Sequence, residues 1–186
     1  MNPKLMFFSN LLKKPTEVAA LVPSSKYVIN SVIKNIDFKN AKCIVEYGPG
    51  VGTITKEVLK NLAPDAKLIC FELNLKFCKF LDKNLKDSRL IIVNDTAENL
   101  DFHMKKLKIG NIDYVFSGIP FSLIKKENKK FIIKKTRGSL RQGGRFIIYQ
   151  YSRHVKKYLK IYFKKISTHL EVRNIPPNFV FVCEKT

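Results

Sequence analysis

Three glycines at two-residue spacing carry the clearest chemical signal in this sequence. Gly48, Gly50 and Gly52 lie in "VEYGPGVGTITKEVL" (45–59), between an apolar run and a helix-like pattern. In such a turn the first glycine allows a tight bend, and the second lets the backbone approach a ligand. The third allows close contact where the helix begins. The loop therefore predicts a binding site for a nucleotide-like ligand.

The spacing of the loop excludes two common nucleotide-binding patterns. The dehydrogenase pattern G-x-G-x-x-G would place its last glycine at position 53, where the chain has Thr53. A P-loop would end in Gly-Lys-Ser/Thr, and no such sequence follows Gly52. The observed pattern is G-x-G-x-G, preceded by Glu46.

Two acidic residues follow the loop at the ends of predicted strands. Glu72 ends the second strand, where a carboxylate can bind both hydroxyls of a ribose, and Asp95 ends the third, where it can accept from the amine of a purine. Each alone is equally compatible with a helix cap. Since the carboxyl ends of successive parallel strands open on one edge of a sheet, together they predict an adenosine-shaped crevice.

Apolar runs and helical periods alternate along the chain, which predicts a parallel α/β sheet with helices on both faces. The predicted strands are 42–48, 66–73, 89–95, 112–120, 144–152 and two within 168–185. The predicted helices are 53–62, 75–85 and a Lys-rich stretch at 131–140. The last two strands flank a Pro-Pro pair and predict an antiparallel C-terminal hairpin. We expect one domain, residues 1–186, with an N-terminal helical extension (1–40) and an α/β core (41–186).

Composition limits the partners and the compartment. The chain has 35 Lys and Arg against 15 Asp and Glu, a formal charge of +20. This excess favours an anionic partner, either nucleic acid or a bilayer, although a solvated Lys-rich surface gives the same count. The four cysteines form no C-x-x-C pair and predict reduced, buried thiols in a cytoplasmic protein. The three histidines are isolated, so we expect no metal.

Two cationic amphipathic stretches bear on membrane binding. In 153–166 the apolar residues form one helical stripe, which we expect to pack on the sheet, and its lysines remain available to meet lipid phosphates. The N-terminal stretch 2–15 sets Leu5, Phe8 and Leu12 along one side, flanked by three lysines. This second segment predicts either a helix in the bilayer interface or a cap on the core of the protein.

The glycine loop and the two acids resemble the class I S-adenosyl-L-methionine-dependent methyltransferases, from about Lys42 to the C-terminus. The resemblance implies a Rossmann-like seven-stranded sheet with an antiparallel last strand, and S-adenosyl-L-methionine as the cofactor, with S-adenosyl-L-homocysteine as its product. It also implies these cofactor-binding residues: Glu46, Gly48, Gly50, Gly52, Glu72, Leu73, Asp95, Thr96, Ser117, Gly118 and Pro120.

The fourth predicted strand ends in "SGIPF" (117–121), which bears on the substrate. Adenine methyltransferases acting on ribosomal RNA and DNA carry Asn/Asp-Pro-Pro-Tyr/Phe there, and Ser117 and Ile119 replace the polar residue and the first proline. The stretch instead resembles the "SGLP" of bacterial phospholipid N-methyltransferases. Three other stretches agree: "LVPSSK" (21–26), "YQYS" (149–152) and "RNIPPNFVF" (173–181). The chain departs from that pattern at Ile148 and Asn178, where the resemblance implies glutamine and alanine.

The resemblance implies an N-methyltransferase acting on the amine of phosphatidylethanolamine, or of its methylated derivatives. We expect a monomer bound peripherally to the cytoplasmic face of the membrane. Tyr151 and Ser117 are the predicted catalytic residues, with Tyr151 holding the amine through its hydroxyl or ring face. Tyr151 is equally compatible with an ordinary aromatic at the sheet edge. The alternatives are a nucleic-acid adenine N-methyltransferase and a cofactor-binding protein without catalysis.

Overall fold

The computed structural model describes residues 24–186, so the amphipathic segment at 2–15 lies outside the described residues. Seven strands occur in this range: β1 Cys43–Tyr47, β2 Lys67–Phe71, β3 Leu90–Val93, β4 Ile112–Ser117, β5 Leu140–Gln150, β6 Lys165–Glu171 and β7 Asn178–Glu184. The α-helices are α1 Lys26–Ile33, α2 Thr53–Asn61, α3 Leu75–Asn84, α4 Leu100–Lys106, α5 Lys126–Ser139 and α6 Lys156–Tyr162.

All seven strands join one sheet in the order β3-β2-β1-β4-β5-β7-β6. Strands β1 to β5 are parallel, whereas β7 runs antiparallel to both β5 and β6. The predicted class, a mostly parallel Rossmann-like sheet with an antiparallel C-terminal hairpin, is confirmed. The chain builds outward from β1 to β3 and then returns to β4, so the edge beside β1 and β4 is a topological switch point, where ligands bind in this architecture.

Burial along the central strands explains why they form. Every residue of β1 and of β4 is buried, as expected for strands covered on both faces. On one face, Val45 and Tyr47 pack in a cluster with α4, α5 and α6. On the other face, Ile44 packs in a cluster with α1 and α2. The helix α1 therefore contributes to the core.

Several predicted boundaries were wrong: β4 ends at Ser117 rather than at position 120, and β6 begins at Lys165 rather than within 168–185. The largest differences are at the starts of α5 and β5. Helix α5 begins at Lys126 rather than near Phe131, and β5 begins at Leu140 rather than Gly144. The strand is longer because of a bulge: Ile112 pairs with Leu140 and Tyr114 with Arg145, so β5 contains extra residues over this interval. Gly143, with φ of 73°, accommodates the bulge.

The amphipathic stripe at 153–166 is divided between two elements. Val155, Tyr158, Leu159 and Phe163 are buried in the cluster beneath the sheet, which agrees with the packing interpretation. Helix α6 ends at Tyr162, however, and the last residue of the stripe, Ile166, belongs to β6. The predicted continuous helical stripe was therefore too long.

The four cysteines are buried, and none of them forms a disulfide in the structure. Burial raises the pKa of the Cys43 thiol to about 12, so this thiol stays protonated at neutral pH. Within residues 24–186, no helix has both the length and the apolar character needed to cross a membrane.

Candidate active site

The glycine loop joins the end of β1 to the start of α2. Gly48, Gly50 and Gly52 all have positive φ, at 70°, 56° and 76°. The N–H of Gly48 donates to the carbonyl oxygen of Phe71 at 2.9 Å, which ties the loop to β2. A Cβ on Gly52 would lie 2.5 Å from a side-chain methyl of Leu81. Glycine there allows the first turn of α2 to pack closely against α3.

Glu72 follows β2 and is held in place by backbone donors. Its Oε2 accepts from the N–H of Gly50 at 3.1 Å, and its Oε1 accepts from the N–H of Asn74 at 2.9 Å. A carboxylate can accept about four hydrogen bonds, so capacity remains for the two hydroxyls of a ribose. The glycine loop and Glu72 thus form one preorganised unit. The hydrogen bond that joins them could not be predicted from the sequence.

Glu46 lies behind the loop. The residue is 1% exposed, and its carboxyl oxygen Oε2 accepts from Thr55 Oγ1 at 2.6 Å and from Cys70 Sγ at 3.4 Å. Burial raises the pKa of Glu46 to about 7, because the charged form loses hydration. Glu46 was predicted to bind the cofactor. Its side chain instead fixes the first turn of α2 from below the loop, outside the cavity wall.

Asp95 follows β3 and accepts hydrogen bonds from three local groups. Its donors are the N–H of Thr96 at 2.7 Å, Asn99 Nδ2 at 3.0 Å and His103 Nε2 at 2.8 Å. The bond with His103 contributes most to holding the pKa of Asp95 below its ordinary value, so the group is a carboxylate at neutral pH. Asp95 is thus locally satisfied and also lines the cavity described next.

A first cavity of about 470 Å³ opens at the switch point. Its wall brings together most of the predicted cofactor-binding residues: Gly48, Gly50, Glu72, Leu73, Asp95, Thr96, Gly118 and Pro120. Apolar side chains complete it, among them Ile54, Phe71 and Phe77. Of the predicted residues, Glu46, Gly52 and Ser117 do not line it. The cavity offers fixed carboxylates at two strand ends, backbone approach at the glycines and apolar surface for a planar ring.

A second cavity, of about 410 Å³, shares Ser24, Gly118, Pro120 and Tyr149 with the first. Its other lining residues are Ser25, Tyr27, Val28, Ser122, Gln150, Tyr151, Ser152, Arg173, Asn174, Ile175 and Asn178. These residues come from four separate parts of the chain: the start of α1, the segment after β4, the end of β5 and the connection between β6 and β7. Two cavities with a common wall are suited to bind two molecules between which a chemical group is transferred.

Tyr149 and Gly118 form the wall that the two cavities share. A Cβ on Gly118 would lie 2.3 Å from the hydroxyl oxygen of Tyr149, so only glycine fits at that contact. Burial raises the pKa of Tyr149, so its hydroxyl stays neutral. Sequence reasoning chose Tyr151 and missed Tyr149. Tyr149 belongs to β5 and Tyr151 directly follows the last residue of that strand, and no feature of "YQYS" indicates which of them lines the first cavity.

The two predicted catalytic residues lie in different environments. Tyr151 lines the second cavity and is 48% exposed. Partial burial raises its pKa, so the hydroxyl is a neutral hydrogen-bonding group at neutral pH rather than a base. Ser117 is fully buried and lines neither cavity, and its Oγ has no hydrogen-bond partner within residues 24–186. Its neighbour Gly118 reaches the cavities instead.

Comparison with known proteins identifies the kind of site. Residues 24–134 match the family model described as ribosomal RNA adenine dimethylase. An ornithine lipid N-methyltransferase from Singulisphaera acidiphila is 26% identical over 185 residues, which cover 98% of this chain and 96% of that protein. A ribosomal RNA small subunit methyltransferase A from a Hydrogenobaculum species is 30% identical over 130 residues. That match covers 68% of this chain and 46% of the relative, so the chain spans less than half of the ribosomal enzyme.

Among solved structures, the precorrin-6y C5,15-methyltransferase of Geobacter metallireducens superposes with a TM-score of 0.68 at 16% identity. The match covers 89% of this chain and 94% of the other, and it shows the fold alone. S-adenosyl-L-methionine is the cofactor that these matches indicate, and the first cavity fits it. The fixed carboxylate of Glu72 suits the ribose, and the glycines leave room for close backbone approach. The chain is therefore a methyltransferase, and the non-catalytic alternative is not retained.

Proposed function

We propose a lipid amine as the methyl acceptor of this chain, which belongs to the ribosomal RNA adenine dimethylase family and is a class I S-adenosyl-L-methionine-dependent methyltransferase. One observation carries the proposal. The four stretches that resemble phospholipid N-methyltransferases are far apart in sequence, yet each contributes residues to the second cavity: Ser24, Gly118, Tyr151 and Asn174 are examples. That cavity adjoins the cofactor site, where an acceptor must bind.

The segment after β4 argues against an adenine acceptor. In adenine methyltransferases a polar side chain there holds the amine and an aromatic ring stacks on the base. Here Ser117 lines neither cavity and Gly118 has no side chain. Phe121 is fully buried, with its ring centroid 6.4 Å from that of Phe146 in the core. Neither half of the adenine clamp is therefore available, and an unstacked aliphatic amine suits the site better.

For methyl transfer, the protein mainly has to align the acceptor amine with the methyl group of the cofactor. The cofactor supplies an already activated methyl group, so no metal or nucleophilic side chain is required. The acceptor amine must be neutral when it attacks, and removal from water favours the neutral form. We propose that Tyr151, with its raised pKa, holds the amine as a neutral partner. Ser117 is not proposed as a catalytic residue, because it does not reach either cavity.

Exposed apolar side chains around the cavities support binding to a membrane surface. Leu123 on the first cavity is 52% exposed, and Ile175 on the second is 86% exposed. The chain as a whole carries a formal charge of +20, although Arg173 on the second cavity is paired with Glu171, with Nε and Oε1 2.7 Å apart. Exposed apolar groups on a strongly basic protein favour an anionic bilayer. We propose peripheral association with the cytoplasmic membrane face, with the amine lipid drawn directly from the bilayer.

The head group is proposed to be phosphatidylethanolamine or its mono- and dimethyl derivatives. The relative that matches nearly the whole chain is an ornithine lipid N-methyltransferase. Ornithine lipid is therefore the other amine lipid to test. A ribosomal RNA adenine acceptor is the second candidate, supported by the family match and by the ribosomal relatives.

Head-group analysis of cells that express the gene tests the proposal. Lipids extracted from a host without endogenous lipid methylation should contain N-methylated amine lipids, and the Gly50→Val variant should abolish them. An unchanged lipid profile, together with new dimethyladenosine in ribosomal RNA, would establish the second candidate instead.

A further inference from the structure

Arg173 is the only charged side chain that lines the second cavity within residues 24–186. The first cavity differs, since Glu72, Asp95 and Glu98 line it and no Lys or Arg of the described residues does. A cavity whose single charge is a cation attracts the anionic part of a ligand and disfavours a bound ammonium. The two cavities therefore select ligands of different charge.

The guanidinium of Arg173 is held in place on two sides. Its Nε and Nη2 donate to the two carboxylate oxygens of Glu171, at 2.7 and 2.8 Å. Its Cζ lies 4.7 Å from the ring centroid of Tyr27, which also lines the second cavity. Glu171 is itself anchored, because its Oε2 accepts from the hydroxyl of Ser31 on α1 at 3.2 Å. An arginine fixed in this way loses little conformational entropy when it binds a ligand.

The pairing with Glu171 leaves part of the guanidinium free. Arginine has five N–H donors, and within residues 24–186 the side chain of Arg173 donates only through Nε and Nη2 to Glu171. The remaining donors include the pair on the Nη1–Nη2 edge, a geometry that binds two oxygens of a phosphate or a carboxylate. The side chain of Arg173 is 63% exposed, whereas that of Glu171 is 2% exposed and does not line the cavity. A ligand in the cavity therefore meets the cation rather than its partner.

Resting on the proposed function, we propose that Arg173 binds the anionic group of the acceptor lipid head group through this free edge. The acceptor is then a zwitterionic amine lipid, in which a phosphate or a carboxylate lies a few bonds from the amine. In phosphatidylethanolamine this group is the phosphodiester, and in ornithine lipid it is the carboxylate. The same positive charge disfavours the ammonium form of the acceptor, and so favours the neutral amine that attacks the methyl group.

The test measures methyl transfer by the full-length protein in micelles of an uncharged detergent that contain phosphatidylethanolamine or ornithine lipid. Arg173→Gln should raise KM about tenfold with kcat nearly unchanged, as for the loss of hydrogen bonds to a charged group. Arg173→Lys keeps the charge without the two-donor edge and should raise KM less. A rise with only one of the lipids would identify its anionic group as the one that Arg173 binds.

Arg153→Gln is the matched control. Arg153 also stacks on an aromatic ring, with its Cζ 5.6 Å from the ring centroid of Phe179, but it does not line the second cavity. The substitution removes the same charge, so KM should stay at the wild-type value if the effect at Arg173 comes from the cavity.

Glu171→Gln separates ligand binding from a structural role of the ion pair. This variant breaks the pair and keeps the charge of Arg173, so anion binding predicts a much smaller rise in KM than in Arg173→Gln. A purely structural role predicts equal losses in the two variants. The double variant Arg173→Gln/Glu171→Gln leaves no buried carboxylate unpaired and should retain the KM of Arg173→Gln. Calorimetry with S-adenosyl-L-methionine checks that each variant is folded.

A soluble probe tests the anionic group directly. Glycerophosphoethanolamine, which is the head group without its acyl chains, should inhibit the wild-type protein more strongly than ethanolamine, and Arg173→Gln should remove that difference. An unchanged KM in Arg173→Gln with both lipids, or an equal loss in Glu171→Gln, would overturn the inference while lipid methylation remained. Absence of transfer to any lipid by the wild-type protein would overturn the proposed function itself.

Discussion

In the first cavity the carboxylates of Glu72 and Asp95 already accept hydrogen bonds from the chain, whereas in the second the carbonyl oxygens of Gln150 and Asn178 accept none from residues 24–186. The first cavity is therefore preorganised, with its groups held by the fold before a ligand arrives. The second is assembled from four separate parts of the chain, and two side-chain oxygens of its lining residues have no partner within residues 24–186. This difference suits an enzyme that binds one fixed donor and an acceptor that changes with every transfer.

Substitution of Gly50 should disrupt cofactor binding in the first cavity more than any other change. Valine at a φ of 56° is strongly disfavoured, and it would displace the N–H that holds Glu72. We expect Gly50→Val to weaken S-adenosyl-L-methionine binding by at least about 100-fold, roughly 3 kcal/mol, in isothermal titration calorimetry.

Gly110→Val is the control for that substitution, because a Cβ at Gly110 meets nothing within 4 Å. Unchanged affinity in a folded Gly50→Val protein would place the cofactor elsewhere.

Glu46, which lies behind the glycine loop, makes the stability of the fold depend on pH. Its pKa is about 7 in the folded protein, above its ordinary value of 4.5. Between these values the unfolded chain releases a proton that the folded chain keeps, so stability falls as the pH rises through this window and levels off above it. Glu46→Gln keeps an acceptor for Thr55 and lacks the proton. In urea unfolding we expect the variant to gain on the order of 3 kcal/mol over wild type between pH 4.5 and 8.

The exposed Glu127→Gln serves as the control, and its pH profile should follow that of wild type. Parallel profiles for wild type and Glu46→Gln would mean that Glu46 ionises normally.

The wall common to both cavities is tested at Gly118. A Cβ there collides with the Tyr149 hydroxyl, so Gly118→Ala must displace this side chain. We expect cofactor affinity and methyl transfer both to fall about tenfold, or roughly 1.4 kcal/mol. Tyr149→Phe in the same background should restore part of the loss, since the hydroxyl oxygen is the nearest atom. Gly138→Ala, where nothing lies within 4 Å, should have no effect. A fall in cofactor affinity without a fall in methyl transfer, or the reverse, would show that the two cavities do not share this wall.

The smallest effect is expected from the N-terminal segment, which lies outside the described residues. Removing residues 1–14 should weaken binding to anionic vesicles several-fold while leaving cofactor affinity intact. The measurement belongs near physiological salt, where a Debye length of about 8 Å screens diffuse attraction by the basic body. Vesicle sedimentation provides the comparison. Equal vesicle binding by the full-length and truncated proteins would show that residues 1–14 do not contribute to membrane binding.

The two cavities also differ in how far the sequence predicts them. The sheet, and the placement of the glycine loop, Glu72 and Asp95, follow from local patterns, because parallel strands bring their carboxyl ends to one edge. The contacts of Glu46 could not be predicted, since its neighbours Thr55 and Cys70 come from two further elements. The start of β5 was missed because the bulge at Gly143 has no regular hydrophobic period.

The second cavity could be predicted only through resemblance. Its residues range from Ser24 to Asn178, and their convergence depends on β7 returning beside β5. Polar side chains such as Gln150 and Asn178 give no periodic signal, and their burial becomes apparent only once the hairpin is in place. That Tyr149 forms the wall between the cavities likewise became apparent only from its contact with Gly118.

A single competition experiment tests the central claim most directly. Purified full-length protein is given labelled S-adenosyl-L-methionine, vesicles containing phosphatidylethanolamine, and unmethylated small-subunit ribosomal RNA in one reaction. A lipid-methylating enzyme should place the label in the lipid fraction, and Gly50→Val should abolish it. Label in the RNA with an unlabelled lipid fraction would contradict the account and assign the second cavity to a nucleotide.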